Sequence, residues 1–217
     1  MFHGGGPELE SPFFKNLMSF VAQNERYNKE MGLAKEEFER FAGPIYETDR
    51  SYDARINSFH NWYILDRPMR ESGSTPLVYF LEFNANTLPQ HELAGYRELE
   101  HNLHSVFEFV RVTTAQTRVR DLLTGRKYDV EGIEGTEFMD KGALFNTRIF
   151  NHGGKFYFTN YYLNHPAGAN KAIHHQAKRV RKALVELKSF LFQLVLFQSR
   201  WDQYKQMELK NIYRFES

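Results

Sequence analysis

The sequence predicts an α+β protein with a helical N-terminal half, a small antiparallel sheet of five strands and a long C-terminal helix. Apolar residues recur at helical spacing over residues 11–104 and alternate with polar residues over 105–163. Helical spacing returns over 170–215. At 217 residues the chain is long enough for one ample domain. The glycine-rich residues 1–10 are expected to be flexible.

The composition excludes several classes of site. There is no cysteine, which rules out disulfides, cysteine-ligated zinc and thiol nucleophiles. The net charge of +1 argues against a generally basic nucleic-acid binder but leaves room for a local basic patch. The first residues do not read as a signal peptide, and the most apolar segment, 190–197, is far shorter than the roughly 20 residues of a membrane span. We therefore expect a cytoplasmic protein without a cofactor.

Capping signals set the predicted helices of the N-terminal half. Ser11 followed by Pro12 is typical of a helix start, and apolar spacing carries this helix to about Met31. Thr75 and Pro76 repeat the same signal further along the chain. Other helices are predicted between these two, and their ends are marked by proline or glycine. The last helix of this half is predicted to begin at Pro89.

Five short segments alternate and are rich in Val, Phe and Tyr, which predicts strands. Thr124-Gly125 and Gly153-Gly154 stand where hairpin turns belong, because glycine accepts the positive φ that such turns require. A sheet of this size forms either a small barrel or a strongly curled sheet. The predicted strands cover residues 105–112, 117–122, 126–130, 143–150 and 155–163.

The last segment reads as one helix from about Lys171 to Tyr213 with an apolar seam. Its apolar side chains extend beyond one stripe, so the helix must be covered on most sides. Either the N-terminal helices cover it or a second copy of the protein does. The residues assigned to self-association are Leu184, Leu187, Phe190, Leu191, Leu194 and Trp201.

Two stretches together resemble a known group of proteins. The first, FHNWYILDRPMRESGSTPLVYFLE, contains W-x-hydrophobic-x-D and T-P-L-x-x-F-L, and the second begins with the D-L-x-T-G of RDLLTGRKYDV. Over residues 55–162 the order is similar to an uncharacterised group of bacterial proteins, some of which end in a SEC-C zinc-binding tail. The resemblance implies a helical segment that leads into a small β unit, and it implies no reaction. The tail is absent here, so no metal role carries over.

Trp62 and Asp66 of the resembling motif lie four residues apart and so share one helical face. In one interpretation, Trp62 fills the junction between helices and sheet while Asp66 ends the helix or bonds a nearby backbone group. In the other, the two residues form the lip of a pocket for a ligand or peptide. Both interpretations stay open at this point.

Basic residues suggest a second surface. Arg118 and Arg120 share one strand parity, and Arg148 lies on a neighbouring predicted strand. Arginines beside aromatic residues on a small sheet can hold phosphates and stack bases, although a solvated sheet face has the same pattern. The basic start of the last helix would extend this surface with Lys178, Arg179, Arg181 and Lys182.

No catalytic or metal-binding residue is assigned. His101 and His104, at i and i+3 on a predicted helix, share a face but lack an H-E-x-x-H motif, and no G-x-S-x-G or Walker A sequence is present. The leading hypothesis is a non-catalytic binding or scaffolding protein that acts through protein–protein contacts, including self-association as a homodimer. The first alternative is a nucleic-acid-binding protein. The second is a metal-dependent hydrolase at the two histidines.

Overall fold

The structure, a computed structural model, describes residues 12–133, 136, 139–159 and 161–215. The predictions of a flexible segment at 1–10 and of a cap at Ser11 lie outside these residues. Within the described ranges the chain forms eight α-helices and a six-stranded sheet, which confirms the α+β class.

Five helices form the N-terminal half: α1 (Pro12–Gln23), α2 (Glu25–Ala42), α3 (Tyr52–Leu65), α4 (Pro76–Asn84) and α5 (Gln90–Glu100). The helix predicted to run to about Met31 is divided at Asn24. The Asn24 side chain accepts a hydrogen bond from the Arg26 N–H at 3.1 Å and so caps α2. Thr75 caps α4 as predicted, with Pro76 at the first helical position.

The strands are β1 (Leu103–Val112), β2 (Gln116–Asp121), β3 (Lys127–Glu131), β4 (Leu144–His152), β5 (Lys155–Phe158) and β6 (Leu163–Asn164). Their order is β1-β2-β3-β5-β4-β6, and β1 also pairs with β4, so the hydrogen-bonded pairings form a ring. The β3–β5 pair is parallel and the other pairs are antiparallel. The prediction of five antiparallel strands is therefore only partly confirmed. The strand predicted over 155–163 ends at Phe158, and the chain pairs again with β4 as β6.

The predicted turns and strand parity agree with the structure. Gly125 follows β2 with φ +77°, and Gly153 and Gly154 join β4 to β5 with φ +58° and +83°. Along β2, Val119 is buried while Arg118 and Arg120 are partly exposed, as their alternation predicts.

The C-terminal segment is not one long helix. It forms a 3-10 turn, Ala167–Ala169, followed by α6 (Asn170–Arg181), α7 (Leu187–Gln203) and α8 (Leu209–Ile212). After α6 the chain adopts a Schellman motif, in which the Leu184 N–H donates to the Arg179 carbonyl at 3.0 Å and the Ala183 N–H donates to the Val180 carbonyl at 2.9 Å. Ala183 has a φ of 55°, a left-handed conformation in which glycine is more usual.

Tertiary packing explains this break. Ile173 and Ala177 of α6 pack in one core cluster with Val106 and Leu144 of the sheet. Helix α7 runs instead between this cluster and α2, where its Val195 belongs to the helical core. A straight helix could not place both apolar stripes against these different surfaces, so packing overrides the local preference for a continuous helix.

The apolar seam of α7 is covered by the chain itself. Phe190 and Leu194, which were predicted to mediate self-association, are fully buried within the chain, and Leu191 is nearly so. Trp201 is partly buried, while Leu184 and Leu187 remain exposed. The protein's own helices and sheet therefore cover most of the apolar surface of this helix, which is the first of the two predicted arrangements. Among the described helices, none has the length and apolarity that a membrane crossing requires.

Candidate functional site

A cavity of about 550 Å³ opens where the helical half meets the sheet. Its walls come from α2, α3, the end of α5, α7, β1 and β4, together with the segments that lead into β1 and α7. This volume falls within the usual range of small-molecule sites, about 300–1,000 Å³. Trp62 and Asp66, the two residues predicted for a pocket, both line it.

Arg148 of β4 lies at the polar end of this cavity with its side chain only 1% exposed. Its two terminal nitrogens bind the two carboxylate oxygens of Asp66, with Nη1 and Oδ1 separated by 3.0 Å. The same Nη1 donates to Asn102 Oδ1 at 2.6 Å. Asp66 directly follows α3, and its backbone N–H donates to the Trp62 carbonyl at 3.0 Å. The end of α3 and the middle of β4 therefore position the ion pair.

Arg148, which the sequence placed on a nucleic-acid-binding face, is buried and so does not lie on an exposed face of the sheet. Strand β4 is buried on both faces from Leu144 to Phe150, so its alternating residues do not divide into a solvent-exposed face and a buried face. Arg148 is instead an internal cation that fixes the position of Asp66.

A chain of neutral polar groups lies beside this pair. His104 stands opposite Arg148 in the β1–β4 register, and its Nε2 lies 3.1 Å from the Tyr161 hydroxyl, which also bonds Ser58. Burial, with the Arg148 charge added, holds the pKa of His104 well below its ordinary value. Burial raises the pKa of Tyr161 to about 12, while the Arg148 charge acts in the opposite direction. Both side chains are therefore uncharged near neutral pH.

The other walls of the cavity are aromatic and aliphatic. The Trp62 ring centroid lies 5.5 Å from that of Phe38 and 5.8 Å from that of Phe192. Trp62 Nε1 and Arg148 Nε are buried, and neither has a hydrogen-bond partner among the described residues. Buried polar groups in proteins are nearly always paired, so these two donors are unusual. The remaining apolar lining is Leu65, Leu103, Leu187, Leu191 and Val195.

The charged groups of the lining favour ligands that are not anions. Asp66, Glu100 and Glu186 supply three carboxylates, and the cations are Arg148 and Lys188. Both terminal nitrogens of Arg148 are already engaged by protein acceptors. The Asp66 side chain is 36% exposed, and each of its oxygens can accept a further hydrogen bond. The cavity therefore offers an acceptor for the polar end of a ligand.

The other predicted nucleic-acid residues fall into two groups. Arg118 makes a two-point ion pair with Asp129 at 2.6 Å, and Arg120 pairs with Glu108. The hydrogen bonds from Arg118 lower the pKa of Asp129. These strand cations are matched by neighbouring carboxylates, as the interpretation of a solvated sheet face requires.

The cations of α6 differ. Lys178, Arg181 and Lys182 are exposed and form no ion pair with any carboxylate in the described ranges. Arg179 is less exposed and donates to Gln176 Oε1 at 3.3 Å. The cations predicted at the basic start of the last helix therefore lie on the exposed surface of α6 and at its C-terminal end.

The predicted histidine face does not exist. His101 caps the C-terminus of α5 and is exposed, whereas His104 lies in β1 and contacts Tyr161. Across the described residues, no group of three or more His, Cys, Asp or Glu side chains could hold a metal ion.

Sequence reasoning missed Ser58 and Asn102, which line the polar end of the cavity, and Tyr161, which bonds Ser58 behind it. No motif marks them, because each becomes part of the site only through contacts with distant segments. The one signal in the sequence was Arg148, which is the single charged residue of the strand segment LFNTRIF. Such a residue needs a buried counter-charge.

No family model, no curated protein and no solved structure matches this chain. The resemblance to bacterial proteins with a SEC-C tail stays a prediction.

Proposed function

We propose that the protein is a non-catalytic binding protein, and that its cavity takes a small molecule with an apolar body and a hydroxyl or amine at one end. One observation carries the proposal: a buried arginine, Arg148, holds the partly exposed carboxylate of Asp66 at the polar end of an otherwise apolar cavity. Small-molecule sites typically combine apolar walls with a few fixed polar groups.

The polar end of the ligand follows from the hydrogen-bond inventory. Asp66 can only accept hydrogen bonds when ionised, so a matching ligand must donate one. A carboxylate or phosphate would instead meet Asp66 and the rim acids Glu100 and Glu186.

The protonation states support binding without catalysis. A general acid or base works best when its pKa lies near the working pH. Burial lowers the pKa of His104 well below that range and raises the pKa of Tyr161 to about 12. Neither group is suited to proton transfer near neutral pH.

Trp62 provides a direct assay, because the chain contains only two tryptophans. A Trp201→Phe variant leaves Trp62, in the cavity wall, as the only tryptophan. We expect its emission to change on titration with decanol and decylamine, and much less with decanoate, which has the same chain and an anionic end. The three affinities are measured by fluorescence and by calorimetry.

A pair of leucines gives the matched control. Leu187 lines the cavity and is 41% exposed, whereas Leu184 is 65% exposed and lies outside it. Leu187→Gln should weaken decanol binding about ten-fold through the loss of apolar contact, and Leu184→Gln should leave it unchanged. Absence of any saturable response to the three compounds would refute the proposal.

Scaffolding by self-association has less support than this proposal. Three of its six assigned residues, Phe190, Leu191 and Leu194, lie inside the folded chain.

A further inference from the structure

The exposed side of α6 carries a row of basic residues. Lys171, His175, Lys178 and Lys182 follow one another at spacings of four and three residues, so they share one helical face. Residues 165–185 contain no aspartate or glutamate. None of the three lysines forms an ion pair with a carboxylate in the described part of the chain.

Helix capping explains only part of this row. Cations in the last turn of a helix stabilise it, which accounts for Lys178 near the end of α6. Lys171 is the second residue of α6, where the helix dipole disfavours a positive charge. The row also borders a concave surface of about 510 Å³, which is lined by His175, Lys178, Arg179, Lys182 and Leu184.

Exposed apolar side chains continue the surface beyond the end of α6. Leu184, in the turn after α6, is 65% exposed, and Leu187 at the start of α7 is 41% exposed. Phe41 of α2 is 53% exposed, and its ring centroid lies 5.5 Å from that of Phe192. Lys188 Nζ stands 6.0 Å from the same Phe192 ring. Apolar and basic side chains therefore meet at one edge of the molecule.

We infer that this edge docks on a phospholipid surface with anionic headgroups. The lysines match the negative charge of the headgroups, and leucine and phenylalanine side chains can enter the boundary between headgroups and acyl chains. Nucleic acid fits less well, because exposed aliphatic side chains beside the lysines would meet only the polar phosphate backbone. Leu187 and Lys188 also line the cavity, but Lys178, Lys182, Leu184 and Phe41 lie outside it, so the inference can be tested without reference to the ligand of the cavity.

Partition onto lipid vesicles tests the inference with the full chain. The wild type is expected to co-sediment with vesicles of phosphatidylglycerol and phosphatidylcholine at low salt, and much less with phosphatidylcholine alone. Lys178→Gln combined with Lys182→Gln should lower the partition coefficient about 25-fold, because the loss of each cation lowers it about five-fold. Leu184→Ser and Phe41→Ser should each lower it about ten-fold by removing an inserted side chain.

A control variant removes two cations elsewhere. Arg200 is exposed near the end of α7, about 18 Å along the helix from Lys188, and Lys205 is exposed just beyond the end of this helix. Arg200→Gln with Lys205→Gln should change the partition coefficient less than two-fold. Circular dichroism and the midpoint of urea unfolding check in every variant that the fold is intact.

Two results would overturn the inference. One is equal partition of the wild type onto neutral and anionic vesicles. The other is salt-sensitive binding to an oligonucleotide that Leu184→Ser leaves unchanged, without vesicle association, which would assign this surface to nucleic acid.

Discussion

Asp66 and Arg148 lie 82 residues apart in the sequence and form a two-point ion pair between the end of α3 and strand β4. The two ends of this pair differ in their environment. The Arg148 side chain is 1% exposed, whereas that of Asp66 is 36% exposed and lines the cavity. The pair therefore joins the helical half to the sheet and also presents a fixed carboxylate to any ligand.

The unequal burial predicts unequal costs of removing each partner. Asp66→Asn leaves the Arg148 charge buried without a counter-charge and should lower the free energy of unfolding by about 3 kcal/mol. Arg148→Met leaves a carboxylate that water can reach and should cost about 1–2 kcal/mol. Urea denaturation of both variants measures the two losses.

The Arg118–Asp129 pair is the matched control, because it has the same two-point geometry and is partly exposed at both ends. Asp129→Asn should change the stability much less than Asp66→Asn, since water and salt screen exposed pairs. Equal losses from the two Asp→Asn substitutions would show that burial of Arg148 is not what matters.

A buried histidine predicts a loss of stability in mild acid. His165 Nδ1 lies 3.0 Å from the Tyr213 hydroxyl, its Nε2 lies 2.9 Å from Asn146 Oδ1, and burial lowers its pKa to about 3. Below pH 6.5 the His165 imidazole is protonated in the unfolded chain but stays neutral in the folded protein. The free energy of unfolding therefore falls as the pH falls toward 3. The loss attributable to His165 should be about 2 kcal/mol at pH 5 relative to pH 7.

His165→Gln tests this assignment, because glutamine keeps hydrogen-bonding capacity without a titrating ring. The variant will be less stable at pH 7 if it packs poorly, but its stability should change less with pH than that of the wild type. An unchanged pH dependence between pH 7 and 5 would contradict the role of His165. His60 and His104, whose pKa values burial also lowers, contribute equally to both proteins.

Local signals explain what the sequence could predict. Thr75 with Pro76 caps a helix through contacts within one turn, and Gly125 turns a hairpin through its own φ. Strand alternation placed Val119 inside and its arginine neighbours outside for the same local reason. The α+β class and most element positions follow from features of this kind.

Contacts between distant segments explain what the sequence could not predict. Nothing near Arg148 indicates that Asp66 will neutralise it, and both faces of β4 are covered by elements far away in the chain. The sixth strand and the parallel β3–β5 pair likewise depend on where the chain returns after the β4–β5 turn. Residues 182–186 contain neither glycine nor proline, so the break between α6 and α7 has no local signal.

That break predicts a stabilising substitution. Ala183 holds a φ of 55°, which costs a residue with a Cβ about 1–2 kcal/mol. Glycine avoids this cost but adds about 0.4–1 kcal/mol of unfolded-chain entropy. Ala183→Gly should therefore raise the free energy of unfolding by about 0.5 kcal/mol, measured by urea denaturation.

The same substitution within α6 should have the opposite sign. Ala177 is buried in the middle of the helix, and Ala177→Gly should lower the stability by about 1 kcal/mol. If both substitutions destabilise the protein, then the left-handed conformation of Ala183 does not govern the end of α6.

Substitutions of Leu194 and Leu184 can distinguish a seam that is buried within one chain from a surface that associates with a second copy. Both belong to the predicted self-association stripe, but Leu194 is fully buried within the chain and Leu184 is 65% exposed. Leu194→Ala should therefore lower the free energy of unfolding by about 3 kcal/mol, and Leu184→Ala should change it by less than about 0.5 kcal/mol. Because the contacts of Leu194 are made within one chain, its loss should be the same at every protein concentration. A midpoint of unfolding that rises with protein concentration in the wild type but not in Leu194→Ala would instead place this leucine at an interface between two copies.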